Sequence, residues 1–503
     1  MLMPNGTRVK TFKRPNVPKQ SAPWWEPHHP YEEYLKKPLM HWFLRRISSG
    51  KNGETPLEKI LYSYRNPSAK VVEKIKYAPI HKFIDFLVHK SGFPSEKIVD
   101  EIFHHRPTIR TLVNTARSVA TFGLTEPQRF VAPLMVVWNI TNVCNLACKH
   151  CYQDAVKRRP KDELTLQQKL EVIDQLSENY VSILAIAGGE PLMDPDLWAI
   201  LERGNRMQVY ITIATNGTLL TPENCQRLVS LGVNYVEVSL DSIDPKTHDE
   251  FRQVKGAWER SIQGIKNVIH TPGLECGVAT CFTKDTVERA RDMLDLVISM
   301  GADRFVHFNF IPVGRGVEMA HEDVEPWQRE RLLRLLHRTL EEGNIDILST
   351  APHFARSCLM GGNLDGAMAV GHGGSAQGRQ AKVFAKYLGG CGAFRCYCSI
   401  QPNGRVTPCV YMPHLTVGSL RQSTLREIWN QPLMNLMGDR DDRGDHCGVC
   451  DFRLYCGGCR ARAESYTGDI QAGDPGCIYN MHMWQEIVAQ SQQEKSESLA
   501  IND

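Results

Sequence analysis

Between residues 134 and 312 the chain alternates short aliphatic runs with longer amphipathic stretches, and this alternation limits the fold more than any other feature. Strand-like runs cover 134–141, 183–187, 209–214, 235–240, 277–282 and 305–311. Helical periodicity fills the gaps, for example over 164–178, 222–231, 258–269 and 286–300. Parallel neighbours need a crossover, and a helix is the usual one, so strands separated by helices predict an α/β fold with a parallel sheet. Periodicity fits a doubly wound sheet and a barrel equally well. In both, ligands gather beyond the C-terminal ends of the strands, so the residues just after each strand are where chemistry is expected.

At 503 residues the chain is longer than one ordinary compact domain, and composition divides it. Residues 1–130 form a basic, aromatic-rich and mainly helical extension, with 22 Lys and Arg against 11 Asp and Glu. Trp24, Trp25, Tyr31, Tyr34, Trp42 and Phe43 alternate there with Lys36, Lys37, Arg45 and Arg46. A second apolar pattern runs through Ile80, Phe83, Ile84, Phe86 and Leu87 at near-helical spacing. This extension could pack on the core as a helical subdomain or lie in a membrane interface, where Trp, Lys and Arg are favoured. Residues 131–357 hold the alternating unit and a helical connection, and 358–390 a Gly-rich connection. Residues 391–480 carry the last cysteine groups, and 481–503 a helix with a polar tail frayed from about Ser491.

No run approaches the roughly 18 apolar residues of a membrane-spanning helix. The first residues are polar and basic without the apolar stretch of a secretory signal. A cytoplasmic setting is therefore expected, with peripheral membrane contact through the basic extension. The charge bias suits an anionic partner; no nucleic acid is expected.

All sixteen cysteines lie beyond residue 143, and eight fall between Cys391 and Cys459. In a chain of this kind such clustering indicates metal or redox chemistry rather than disulfides. Directly after the first strand come Cys144-Asn145-Leu146-Ala147-Cys148-Lys149-His150-Cys151. Three thiolates cannot cap the four irons of a [4Fe–4S] cube, so one iron stays open to an exchangeable ligand. Spacing alone also admits zinc, which His150 could help to close.

With these residues the sequence resembles the radical S-adenosylmethionine (SAM) superfamily. The resemblance implies a partial (β/α)6 barrel in which Cys144, Cys148 and Cys151 hold a [4Fe–4S] cluster. SAM binds the open iron and is cleaved to methionine and a 5′-deoxyadenosyl radical, which takes a substrate hydrogen. His150 stands where the family often has an aromatic residue. Gly188, Gly189, Glu190 and Pro191 after the second strand resemble the glycine-rich SAM motif, with Glu190 accepting a hydrogen bond from the SAM ammonium. Thr215, Asn216 and Gly217 after the third resemble a segment that seats SAM. Ser239 and Asp241 after the fourth match contacts to the ribose or methionine end.

The C-terminal cysteines, Cys391, Cys396, Cys398, Cys409, Cys447, Cys450, Cys456, Cys459 and Cys477, resemble the SPASM extension, which carries one or two auxiliary iron–sulfur clusters. By that resemblance Cys391, Cys409 and Cys459, with Cys396 or Cys398, ligate one cluster. Cys447, Cys450, Cys456 and Cys477 hold the other. The family usually has three residues between the last close pair; here Gly457 and Gly458 make two. A zinc site formed by Cys447, Cys450, Cys456 and Cys459 is the structural alternative. Cys225, Cys276 and Cys281 are expected to pack in the core, and Cys358 to pack or to serve as a hydrogen donor or extra ligand.

The segments 136–141 and 310–316 look most like enzymes that modify tetrapyrrole side chains. Arg315 is a candidate to hold a substrate carboxylate, or else a structural residue. Peptide maturation and membrane-lipid alkyl-chain bridging are the enzymatic alternatives, and a ferredoxin-like electron carrier the non-enzymatic one. An external donor such as ferredoxin or flavodoxin is the expected redox partner.

Overall fold

The computed structural model describes residues 31–50, 55–91, 103–361, 366–369 and 375–502. The arm with Trp24 and Trp25 lies outside the described residues. The extension that follows is helical: α1 Tyr31–Leu35, α2 Pro38–Ser48, α3 Pro56–Ser63, α4 Val71–Ser91 and α5 Arg106–Phe122. A reciprocal capping box starts α3: the Thr55 hydroxyl accepts from the Glu58 amide, and the Glu58 carboxylate accepts from the Thr55 amide. Leu57, Leu61, Ile109, Val113 and Ala116 build a small core of their own that also takes in Tyr180 of the barrel. The Tyr180 hydroxyl donates to Glu58 at 2.7 Å, and Arg110 donates to the Ser177 and Val181 carbonyls. The extension is thus packed on the barrel.

Seven parallel strands follow: β1 Met135–Asn139, β2 Ile183–Ala187, β3 Tyr210–Thr215, β4 Val233–Ser239, β5 Glu275–Cys281, β6 Arg304–Phe308 and β7 Asp346–Ser349. Each lies beside its predecessor. The sheet is a partial barrel. Side chains alternate along it: Val136, Trp138, Leu184, Ile186, Ile211, Val236 and Val238 are buried against the helices. Val137, Ala185, Thr212 and Glu237 face inward on a central cavity.

The connection at the end of 131–357 is mainly helical, as expected, with β7 as a short strand inside it. Two findings correct the sequence expectations. The Gly-rich connection holds a short hairpin, β8 Ala367–Ala369 and β9 Ser375–Gln377, and a helix, Arg379–Leu388. The C-terminal helix, Met481–Asn502, runs through the tail expected to fray at Ser491. The cysteine-rich region also joins the barrel. Its strands β10 Tyr397–Ile400, β11 Arg405–Thr407 and β12 Gly418–Ser419 extend the same sheet, in the order β12-β11-β10-β1 through β7. β10 runs parallel to β1, with Tyr397 opposite Met135.

Candidate functional site

The loop after β1 carries the first three cysteines, and its main chain is stitched to neighbouring loops. The Ala147 and Lys149 amides donate to the Arg252 and Phe251 carbonyls, and the Arg315 amide donates to Cys151. Gly188 and Gly189, after β2, are required by closeness to this loop. A Cβ on Gly189 would stand 2.2 Å from the Val143 carbonyl oxygen. One on Gly188, whose φ is +145°, would stand 2.5 Å from the Thr141 oxygen.

Cys144, Cys148 and Cys151 line a cavity of about 360 Å³ at the mouth of the barrel, within the range of small-molecule sites. Gly188, Gly189, Thr215, Asn216, Ser239 and Asp241 line it as well. N–H groups point at the sulfurs: Leu146 N lies 3.4 Å from Cys144 Sγ, and Arg252 Nη1 3.6 Å from Cys148 Sγ. Burial pushes the Cys144 thiol up to about 12, so a bound metal is what would hold it as thiolate. His150 stacks on Phe251 with ring centroids 4.2 Å apart, and burial pushes its imidazole down to about 3.

Glu190 and Pro191 are absent from the cavity wall among the described residues. The Glu190 carboxylate is fully buried behind it. One oxygen accepts from the Leu192 amide at 3.1 Å and the Thr215 hydroxyl at 2.8 Å; the other accepts from the Asn216 amide at 2.9 Å. Glu190 therefore joins the loops after β2 and β3. Asp241 accepts from Arg252 at 2.6 Å and from the Cys281 amide at 3.0 Å, so its carboxylate aims Arg252 at Cys148. Arg315 braces the cysteine loop, its guanidinium donating to the Cys148 and Ala155 carbonyls at 3.0 and 2.9 Å, and it also lines the cavity, with Nη2 left without a partner among the described residues. Phe251 and Arg252 were not legible as site residues, because no spacing connects them to a cysteine about a hundred positions earlier.

The same cavity is lined from the other side by Cys391, Cys409 and Cys459. The Tyr397 hydroxyl donates to Cys409 Sγ at 2.7 Å. Burial raises the thiol pKa of Cys396, Cys409 and Cys459, and repulsion from Cys391 adds to each. Cys398 is raised by burial alone. It follows Tyr397 on β10, and strand alternation turns it to the opposite face. Cys396, just before β10, is the one of the two whose sulfur the Cys391 charge reaches.

Cys447, Cys450, Cys456 and Cys477 surround a second, smaller cavity with His353 and Arg356. Among the described residues no three His, Cys, Asp or Glu side chains converge on a single ion. Four thiols around one small cavity suit a cube ligated at its corners. The donor sets therefore fit iron–sulfur clusters. Cys225 and Cys276 are fully buried in the core, and Cys358 packs there also. Cys281 packs in a smaller buried apolar cluster with Phe310 and Met319 and also lines the main cavity.

Residues 138–297 match the model of the radical SAM superfamily, and residues 391–451 that of SPASM, an iron–sulfur cluster-binding domain. The AdoMet-dependent heme synthase of Methanosarcina barkeri is 34% identical over 352 residues, covering 69% of this chain and 97% of that protein. The pre-heme d1 synthase of Dinoroseobacter shibae is 31% identical over 356 residues, covering 68% and 85%. Streptococcus suis SuiB bound to S-adenosylmethionine shares the fold, with a TM-score of 0.60 at 17% identity over 84% of this chain and 93% of that one.

Proposed function

The chain belongs to the radical SAM superfamily and carries a SPASM domain, and from that premise we propose that it oxidises a side chain of a tetrapyrrole. We assign Cys144, Cys148 and Cys151 to the SAM-binding [4Fe–4S] cluster. Gly188, Gly189, Thr215, Asn216, Ser239 and Asp241 surround SAM, with Glu190 and Pro191 supporting them from behind. Cys391, Cys396, Cys409 and Cys459 hold one auxiliary cluster; Cys447, Cys450, Cys456 and Cys477 hold the other. When bound, the first cluster and SAM supply hydrogen abstraction by a 5′-deoxyadenosyl radical, and the auxiliary clusters an outlet for electrons.

The chain's own residues prepare this chemistry. Arg252 and the Leu146 amide place positive charge beside the Cys148 and Cys144 sulfurs. Tyr397 does the same for Cys409. Met135, Val137, Ile183, Val306, Phe308 and Leu348 give the cavity a largely apolar wall. The observation that carries the reading is the shared cavity, since a substrate within it meets both cysteine groups at once. The tetrapyrrole assignment draws on the two synthases above, whose sequences align over most of their length. An external donor such as ferredoxin or flavodoxin is the proposed source of the first electron.

The test is anaerobic reconstitution with SAM and dithionite, measuring 5′-deoxyadenosine with a tetrapyrrole extract, a peptide extract or a lipid extract. Stimulation by the tetrapyrrole above background is expected. Stimulation only by peptide or lipid would overturn the substrate, and failure to cleave SAM at all would overturn the radical reading.

A further inference from the structure

Helix α4 turns an apolar face outward. Its inward side combines Ile84, packed on the small core of the extension, with polar contacts. Tyr77 is buried, His81 Nε2 lies 3.0 Å from the Ile60 carbonyl oxygen, and Asp85 accepts from Tyr64 and Arg65 at 2.7 Å each. The apolar side faces out. Val72 and Ile75 are 74% and 71% exposed, and Phe83 is 42% exposed. At 3.6 residues per turn, positions 72, 75, 79 and 83 fall within one narrow stripe, and exposed Lys76 and Lys82 flank it on opposite sides. No carboxylate stands on this face among the described residues: Glu73 and Asp85 lie on the other side.

We propose that this face of α4 docks on an anionic lipid bilayer. An apolar stripe edged by lysines suits a surface that is both oily and negative, and a bilayer interface offers both along the whole helix, which is about 30 Å long. A carboxylate-free face within a segment carrying 22 cationic against 11 anionic residues is complementary to acidic headgroups. The contact is peripheral, since among the described residues no helix is long and apolar enough to cross a membrane. It stands apart from the substrate reading above.

The test uses the full-length, cluster-loaded protein and vesicles of phosphatidylcholine alone or mixed equally with phosphatidylglycerol. Cosedimentation is expected only with the anionic vesicles, and added salt is expected to weaken it. Val72→Glu/Ile75→Glu and, separately, Lys76→Glu/Lys82→Glu are each expected to lower the partition by about tenfold or more. SAM cleavage with dithionite should be unchanged in both, which separates lost docking from lost folding. Equal binding to neutral vesicles, or binding that ignores both variants, would overturn the proposal. So would a wild-type dimer in sedimentation velocity that Val72→Glu/Ile75→Glu dissociates, because a second copy would then cover the face.

Discussion

Replacing Glu190 by Gln separates two roles that its motif allows, a direct contact to SAM and a strut behind the site. A carboxylate has two acceptor oxygens, and here each takes a different backbone amide, Leu192 on one and Asn216 on the other. A carboxamide has one acceptor, so whichever way the substituted side chain is turned, one buried N–H faces an NH2 group. Leaving such a donor unsatisfied costs about 1–3 kcal/mol. For a cooperative unit of this size that corresponds to a fall in melting temperature of about 2–6 °C. The informative sample is cluster-loaded protein without SAM, followed by anaerobic thermal unfolding at matched iron content. A strut lowers the melting temperature there, whereas a residue that only meets the SAM ammonium does not act until SAM is added. An unchanged melting temperature without SAM, together with SAM affinity weakened more than about tenfold by loss of a charge-assisted bond, would refute the strut.

The nearness of Cys396 to Cys391 predicts that Cys396→Ala removes an auxiliary cluster, about four irons per chain, while Cys398→Ala leaves iron content and the EPR spectrum unchanged. The reverse pattern would exchange their assignments. Inside the barrel, burial pushes the Glu237 carboxyl up to about 7, opposed by the Arg304 charge and the Tyr235 hydroxyl. Because the native state then holds a proton that the unfolded chain has released, stability falls as pH rises from about 4.5 through 7, by about 3 kcal/mol in all. Glu237→Gln should remove that slope, so that in urea unfolding the variant matches wild type near pH 5 and exceeds it near pH 8. Identical pH dependence in the two proteins would refute the assignment.

What the sequence displayed well was local. The strand–helix alternation and the Cys144, Cys148, Cys151 triplet lie within short windows, and the loops after β2, β3 and β4 follow from strand order. The features that sequence missed join distant segments. β10 is four residues long and pairs with a strand about 260 positions earlier, so no periodicity announces that the cysteine-rich region extends the barrel sheet. Arg252 reaches the cysteine loop from the end of helix Pro245–Arg252 and Arg315 from a turn far along the chain, and the carbonyl partners of Arg315 leave no trace in side-chain identity. Glu190 was recognisable as a motif residue, but its direction depends on the Leu192 and Asn216 amides. The choice between Cys396 and Cys398 turns on which sulfur lies near Cys391, which spacing does not show.

The placement of β10 explains why a single cavity serves both cysteine groups. β1 would otherwise be an edge strand, and β10 covers it in parallel register, setting Tyr397 opposite Met135 so that both line the cavity. From there the Tyr397 hydroxyl reaches Cys409. At the far side of the barrel, beyond β6, Arg462 of the cysteine-rich region pairs with Asp323, which also accepts from Arg329 at 2.7 Å. Arg329 and Arg462 both donate to Asn309, just past the end of β6. These ions are fully buried, and desolvation offsets most of what such pairs add to stability. Their directional bonds instead fix one orientation. The cysteine-rich region is therefore held at two separated points, by a strand beside β1 and by a charged clamp beyond β6. Cys391, Cys409 and Cys459 lie on the cavity between those points, which makes their distance from the first cysteine triplet a property of the barrel itself rather than of a hinge.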